Sequence, residues 1–154
     1  MENFYILVED PNLKTGISEF LKLHLNPHCE IIESLDGDLI EKTVNKYNNK
    51  KITLCLFGAT IYSINDVKAD KLIIVSPVLN INLYENEIKK LNNKKFNINQ
   101  KALILNGLEN KFCEPIDLSN IMIMDEIEYL GLEDMDYYIE DIYNREFILE
   151  EIKK

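Results

Sequence analysis

The hydroxyl group of Thr60 is a candidate nucleophile because of its place in the sequence. An apolar run over residues 52–57 ends at Gly58 and Ala59, and Thr60 follows. A strand, a small residue and then a hydroxyl residue on a sharp turn can expose that hydroxyl for acyl transfer. Loss of its proton needs a base with a pKa near neutrality, and no histidine follows His28. The alternative is structural: Gly58 permits a tight turn and Thr60 caps the next helix.

The histidines, glycines and cysteines offer little other chemistry. Pro27 separates His24 from His28 and prevents one helix from carrying both on the same face, so we predict no metal site. The five glycines stand apart and form no dinucleotide or phosphate-binding motif, so we predict no cofactor. The cysteines are odd in number and share no short spacing, which predicts reduced thiols rather than disulfides. They are Cys29, Cys55 and Cys113.

Apolar runs that alternate with helical patterns predict the elements that position these residues. Strands are predicted over residues 4–8, 29–35, 52–57, 71–78, 102–105 and 121–124. Helices are predicted over residues 13–25, 39–47 and 83–91, and the C-terminus is predicted to be helical. Strands that are apolar throughout are typical of a parallel sheet covered on both faces. The sequence therefore predicts an α/β domain with three layers and a mainly parallel sheet of about six strands.

The order of these segments resembles that of a small α/β-hydrolase, and a flavodoxin-like sheet is the alternative. Residues 56–62 resemble the nucleophile elbow, G-x-S-x-G. Residues 102–110 resemble the strand that ends in the triad acid, often as G-x-x-D, and residues 121–129 resemble the last strand and the histidine loop. The resemblance implies a nucleophile at Thr60, an acid at Asn110 and a histidine position at Tyr129.

All three positions depart from the hydrolase pattern. A phenol with a pKa of about 10 is a poor base in place of imidazole, and an amide replaces the acid. Glu9 and Asp10 stand where an oxyanion loop is expected, and their carboxylates repel a developing oxyanion. We therefore predict a degenerate α/β-hydrolase-like pseudoenzyme that acts through binding. The enzyme alternative is a small acyl hydrolase or esterase that uses Thr60, Ser63 or Ser76.

The last thirty residues carry most of the formal net charge of −10. Residues 125–154 contain eleven acidic and three basic side chains. Met135, Tyr138, Ile139 and Ile142 fall at helical spacing, which predicts one helical stripe that packs on the sheet. Acidic and aromatic side chains together are typical of a surface that binds a basic protein, as an acidic inhibitor or immunity-type protein does. The predicted partner-binding residues are Tyr137, Glu140, Asp141 and Tyr143.

The composition argues against two other classes of partner. Nucleic-acid binding depends on a basic face, whereas this chain has a pI near 4.7. No apolar run approaches the roughly 18 residues of a membrane helix. The first ten residues lack the basic and small-residue features of a signal peptide. We predict one soluble, cytoplasmic domain over residues 1–154.

Overall fold

The computed structural model describes residues 1–64, 67–95, 98–119 and 126–154. Over these residues, six strands form one parallel sheet in the order β2-β1-β3-β4-β5-β6, numbered along the chain. The strands are β1 (Asn3–Glu9), β2 (Cys29–Glu33), β3 (Lys51–Phe57), β4 (Lys71–Val75), β5 (Ala102–Gly107) and β6 (Ile127–Leu132). The helices are α1 (Ile17–Leu25), α2 (Gly37–Lys46), α3 (Ile81–Glu87), α4 (Pro115–Leu118) and α5 (Ile142–Lys153), with a 3-10 helix over Gly58–Tyr62.

Short polar side chains fix the start of three of these helices. Asp36 accepts a hydrogen bond from the Asp38 amide at 3.0 Å before α2. Asn80 accepts one from the Leu83 amide, also at 3.0 Å, before α3. Asp141 accepts one before α5. Each bond satisfies an amide that has no partner inside the helix, which favours helix initiation by about 1 kcal/mol.

The sheet is buried on both faces, which confirms the three-layer prediction. Successive side chains of a strand point to opposite faces, and β3 shows the consequence. Leu54 packs in one cluster with Ile40 of α2 and Tyr84 of α3. The next residue, Cys55, packs in the other cluster with Ile148 of α5. Each large apolar side chain buried in this way contributes about 1.5–3 kcal/mol, so the two helical layers hold the sheet between them.

The C-terminal region departs from its predicted form. The predicted strand over residues 121–124 lies outside the described residues, and the last described strand is β6. The helix begins at Ile142, so the predicted stripe from Met135 to Ile142 is wrong. Asp134 and Ile139 adopt φ values of 54° and 56°, which no right-handed helix accommodates. Met135 and Ile139 are nevertheless buried, while Tyr138 and Ile142 are exposed.

Candidate functional site

The sharp turn after β3 is made at Gly58. Gly58 directly follows the last residue of the strand and has a φ of 63°. Thr60 lies two residues further on, inside the 3-10 helix. In a nucleophile elbow, the nucleophile stands on the strained strand-to-helix turn. The residue at that position in this fold is therefore Gly58, which has no side chain.

Tyr137 fills the space beside Gly58. It lies in the segment after β6, is only 2% exposed and donates a hydrogen bond to the Leu13 carbonyl at 2.8 Å. A Cβ atom on Gly58 would lie 3.1 Å from Cζ of Tyr137 and closer still to its hydroxyl oxygen. Real Cβ atoms are almost never found so close to a neighbouring side chain. Any nucleophilic side chain at position 58 would therefore collide with Tyr137.

Two more aromatic rings close the crevice above the sheet. Phe112 packs edge-on against Tyr137, with ring centroids 5.6 Å apart, and edge-on against Tyr84 at 6.0 Å. All three side chains are buried. Edge-to-face pairs at these distances stabilise a core beyond the area that they bury, by about 0.5–1.5 kcal/mol each. The three rings thus fill the space beside the Gly58 turn.

Glu9 and Asp10 lie buried at the carboxyl end of β1. Oε1 of Glu9 accepts hydrogen bonds from the Thr15 hydroxyl at 2.8 Å and the Ser18 hydroxyl at 2.9 Å, while its Oε2 has no partner. Burial raises the pKa of Glu9. Asp10 accepts a hydrogen bond from the Tyr84 hydroxyl. These hydrogen bonds hold both side chains in the interior at the end of β1.

Tyr137 is also buried, and its burial determines its protonation state. Burial first, and then the neighbouring carboxylates of Asp10 and Glu9, raise the pKa of Tyr137 well above its usual value. Burial followed by the hydrogen bond to Asp10 raises the pKa of Tyr84 as well. Both phenols are therefore protonated at neutral pH, so neither can accept a proton from a nucleophile.

The predicted triad positions hold other partners. Thr60 is fully buried, and its hydroxyl donates to the Phe57 carbonyl at 2.9 Å. The amide of Asn110 donates to Asn106 Oδ1 at 2.9 Å and thereby shapes the loop after β5. Tyr129 lies opposite Ile104 within β6, three residues before that strand ends. None of the hydrogen bonds between described residues joins any two of Thr60, Asn110 and Tyr129.

The two other predicted hydroxyl nucleophiles, Ser63 and Ser76, are also buried. Ser63 donates to the Leu35 carbonyl at 2.6 Å. Ser76 follows β4 with a φ of 46°, is completely buried, and its hydroxyl has no hydrogen-bond partner. Ser76 is therefore a strained serine at a strand end, although solvent does not reach it.

The cysteines are free thiols and all three are buried. Burial raises the pKa of Cys29 to about 11, and burial with the nearby Asp117 raises that of Cys113 to about 12. Burial raises the pKa of Cys55 as well. Thiols with such pKa values are protonated at neutral pH and are poor nucleophiles.

The predicted partner-binding residues divide into buried and exposed groups. Tyr137 is part of the core and is not available to a partner. Glu140, Asp141 and Tyr143 are exposed, with Tyr143 78% accessible. Within the described ranges, no group of three His, Cys, Asp or Glu side chains is arranged to hold a metal ion. No helix among them is long and apolar enough to cross a membrane.

Sequence reasoning missed the pair formed by Gly58 and Tyr137. Its prediction of the last strand at residues 121–124 put the following loop at Tyr129, whereas the described last strand ends at Leu132. Tyr137 lies in the loop after that strand. A glycine placed directly after an apolar strand was the available signal for the turn, because glycine tolerates a positive φ.

The architecture is that of the α/β-hydrolase fold. No protein-family model matches the sequence, and no curated protein matches it. The esterase domain of a Rhodothermus marinus protein has a TM-score of 0.67 at 9% identity, covering 97% of this chain and 83% of that one. An α-β serine hydrolase homologue from Coxiella burnetii has a TM-score of 0.62 at 13% identity, covering 98% and 83%. A protein from Xanthomonas campestris pv. campestris, described as a hydrolase of the α/β superfamily, has a TM-score of 0.67 at 10% identity, covering 99% of both chains.

Proposed function

We propose that this protein has the hydrolase fold without hydrolase chemistry and acts by binding. The observation that carries the proposal is the contact between Gly58 and Tyr137. The turn that would present a nucleophile has no side chain, and the hydroxyl of Tyr137 occupies the volume that such a side chain would need. Covalent catalysis on this scaffold requires that side chain.

The groups around the turn support the same proposal. Tyr137 is protonated and donates to a carbonyl, so it cannot serve as the base. Asn110 carries an amide where a carboxylate would stabilise a protonated base. The carboxyl groups of Glu9 and Asp10 lie where donors to an oxyanion would be needed. At the positions that the hydrolase resemblance assigns to the base, the acid and the oxyanion donors, other groups therefore stand, which supports the proposal.

Esterase assays with a serine-reactive probe test this proposal. We expect no turnover of p-nitrophenyl acetate or butyrate above the buffer rate, and no mass shift after incubation with a fluorophosphonate. The variants Thr60→Ala, Ser63→Ala and Ser76→Ala serve as controls for the hydroxyl groups near the strand ends. Turnover or labelling that any one of these substitutions removes would show a hydrolase and overturn the proposal.

We further propose that one face of α5 binds a basic protein segment. Tyr143, Glu146, Phe147 and Glu150 follow one another at helical spacing and are all exposed, on the side opposite the buried Ile148. Two aromatic rings flanked by carboxylates provide both an apolar anchor and an attraction for cations. We call these four residues the acidic aromatic face.

The position of Arg145 leaves this face without a compensating cation. Its Nε donates to the Ile139 carbonyl at 2.6 Å, and its guanidinium lies 6.0 Å from the ring of Phe20 in α1. The arginine is therefore directed towards the body of the protein. Lys153, in the last turn of the helix, is the next basic residue along α5. The middle of the helix presents only negative charge to a partner.

A synthetic peptide of alternating lysine and leucine tests the acidic aromatic face, with a glutamate–leucine peptide as its control. We expect the lysine peptide to bind, with at least a tenfold loss of affinity between about 50 mM and about 500 mM salt because screening weakens exposed charges. Tyr143→Ala/Phe147→Ala and Glu146→Gln/Glu150→Gln should each weaken binding tenfold. Asp141 is not substituted because it caps α5.

The matched control removes two exposed carboxylates from the rest of the surface, in Glu41→Gln/Glu109→Gln. It changes the net charge by the same amount as Glu146→Gln/Glu150→Gln. Unchanged affinity in this control supports a localised site. An equal loss in both double variants would mean that the peptide responds only to the total charge, and would contradict the proposal.

A further inference from the structure

A cavity of about 310 Å³ opens where the connections of the sheet reverse direction. The chain passes from β1 to β2 on one side, and then from β2 to β3 on the other side of β1. In open parallel sheets, the crevice beyond the carboxyl ends of the strands at such a reversal is the usual ligand position. Pro11 and Asn12 after β1, and Ala59 and Ser63 after β3, line this cavity.

Hydrogen bonds between the surrounding loops give the cavity a fixed shape. Ser63 donates to the Leu35 carbonyl at 2.6 Å, which ties the 3-10 helix to the loop after β2. Asn93 donates to the Tyr62 carbonyl at 2.8 Å, which ties the segment after α3 to the same 3-10 helix. A preformed site loses less conformational entropy when a ligand binds.

The lining has an apolar part and a cationic part. Leu35 and Leu91 provide hydrocarbon surface, while Lys89 and Lys90 provide two neighbouring ammonium groups. Neutral apolar ligands would leave these cations without a counter-charge, whereas an anionic group would interact with both. The combination selects a ligand with a negative head and a hydrocarbon body.

The nearest ion pair involves a different lysine. Glu85 pairs with Lys94 at 2.9 Å and also accepts a hydrogen bond from the Leu91 amide at 2.9 Å. These two interactions lower the pKa of Glu85. Across the part of the chain that the structure describes, no ion pair engages Lys89 or Lys90. Both lysines are exposed at the cavity and remain available to a ligand.

We infer that this cavity binds a small organic anion, with its carboxylate or phosphate at Lys89 and Lys90 and its hydrocarbon part against Leu35 and Leu91. The volume equals that of roughly ten water molecules in the liquid, which sets the size of the ligand at about ten non-hydrogen atoms. The site is separate from the acidic aromatic face, so its occupancy does not depend on whether that face binds a protein.

Titrations followed by two-dimensional NMR test the inference with three probes of matched size: hexanoate, butyl phosphate and the neutral hexanamide. We expect at least one anion to shift the amide signals of Ser63 and Asn93, with an affinity at least tenfold higher than that of hexanamide. The better of the two anions identifies the head group. Lys89→Gln/Lys90→Gln should reduce the anion affinity at least tenfold and leave hexanamide binding unchanged.

The matched control is Lys42→Gln/Lys95→Gln, which removes two exposed lysines that do not line the cavity. It should retain the anion affinity of the unmodified protein. Equal binding of hexanoate, butyl phosphate and hexanamide would overturn the inference. Binding of none of the three probes would overturn it too, as would equal losses in the two double-lysine variants.

Discussion

Gly58 and Tyr137 share one small volume at the carboxyl end of β3. Two independent features require a glycine at position 58: its φ of 63°, and the Tyr137 hydroxyl where a Cβ atom would lie. Tyr137 in turn is held by its hydrogen bond to the Leu13 carbonyl. The tyrosine therefore cannot move aside without leaving a buried carbonyl unsatisfied, which costs about 1–3 kcal/mol.

A double-mutant cycle on Gly58→Ala and Tyr137→Phe measures this shared volume. Gly58→Ala should lower the free energy of unfolding by about 2–4 kcal/mol, from left-handed strain and overpacking. Tyr137→Phe should cost about 1–2 kcal/mol through the lost hydrogen bond. The double variant should be more stable than the sum by about 1 kcal/mol, because the closest atom is gone. Urea denaturation provides the three values.

The control for this cycle is Gly37→Ala, whose new Cβ would meet the Ser63 carbonyl instead of Tyr137. Its effect should add to that of Tyr137→Phe. Additivity in both cycles would contradict the packing described for Gly58, since nothing would then couple Gly58 to the phenol.

Arg145 connects α5 to the segment that precedes it and to the region around α1. Its guanidinium donates to the Ile139 carbonyl between β6 and α5 and, at 3.4 Å, to the Thr15 carbonyl before α1. It also approaches the ring of Phe20 within α1. The apolar contacts of α5 are made by Ile148, Leu149 and Ile152, which lie in the later turns of the helix. The hydrogen bonds of Arg145 therefore hold the first turn. The helix and the preceding segment should therefore depend on one side chain.

Arg145→Ala should lower the free energy of unfolding by about 2–3 kcal/mol, because two carbonyl groups lose a charged donor. Lys153→Ala, near the exposed end of the same helix, should change it by less than about 0.5 kcal/mol. Hydrogen exchange should also become faster in α5 for the arginine variant. Similar stability losses in the two variants would show that Arg145 does not anchor the helix.

The sequence predicted the strands that are buried on both faces, because their apolar residues form continuous runs. The apolar runs of β1 to β5 appear in the structure within a few residues of the prediction, since each of these strands lies between two helical layers. β6 was missed because it is an edge strand in which Glu128 and Leu130 are exposed, so its pattern alternates. The positive φ values of Asp134 and Ile139 have no sequence signal, because tertiary packing imposes them.

The motif match and the backbone geometry assign different residues to the turn after β3. The turn after β3 and the loop after the last strand follow from the fold-level resemblance, and both contribute to the site. The residues were assigned by matching a motif, which put Thr60 at the turn that Gly58 makes. That two-residue difference decides between a buried hydroxyl and no side chain, and only backbone geometry reveals it.

The net negative charge affects the stability of the whole molecule. With a net charge of −10, most of which lies in residues 125–154, repulsion destabilises the compact state at low ionic strength. Raising salt from about 10 mM to about 500 mM should therefore increase the melting temperature, since the Debye length falls from about 30 Å to a few ångströms. Glu146→Gln/Glu150→Gln should reduce this increase.

The comparison variant for this measurement is again Glu41→Gln/Glu109→Gln, which removes the same charge from the nearly balanced part of the chain. Its melting temperature should keep more of its salt dependence. If both variants lost the same amount, the repulsion would be spread over the surface and not concentrated in the last thirty residues.

The shared volume of Gly58 and Tyr137 also restricts the order in which catalytic groups can be introduced. Gly58→Ser alone drives its side chain into the tyrosine ring. Tyr137→His alone removes the donor to the Leu13 carbonyl and has no nucleophile to activate. Neither substitution alone supplies both a nucleophile and a base, and each disturbs the packing of the pair. Building a nucleophile and a histidine into this turn would therefore require both positions to change together.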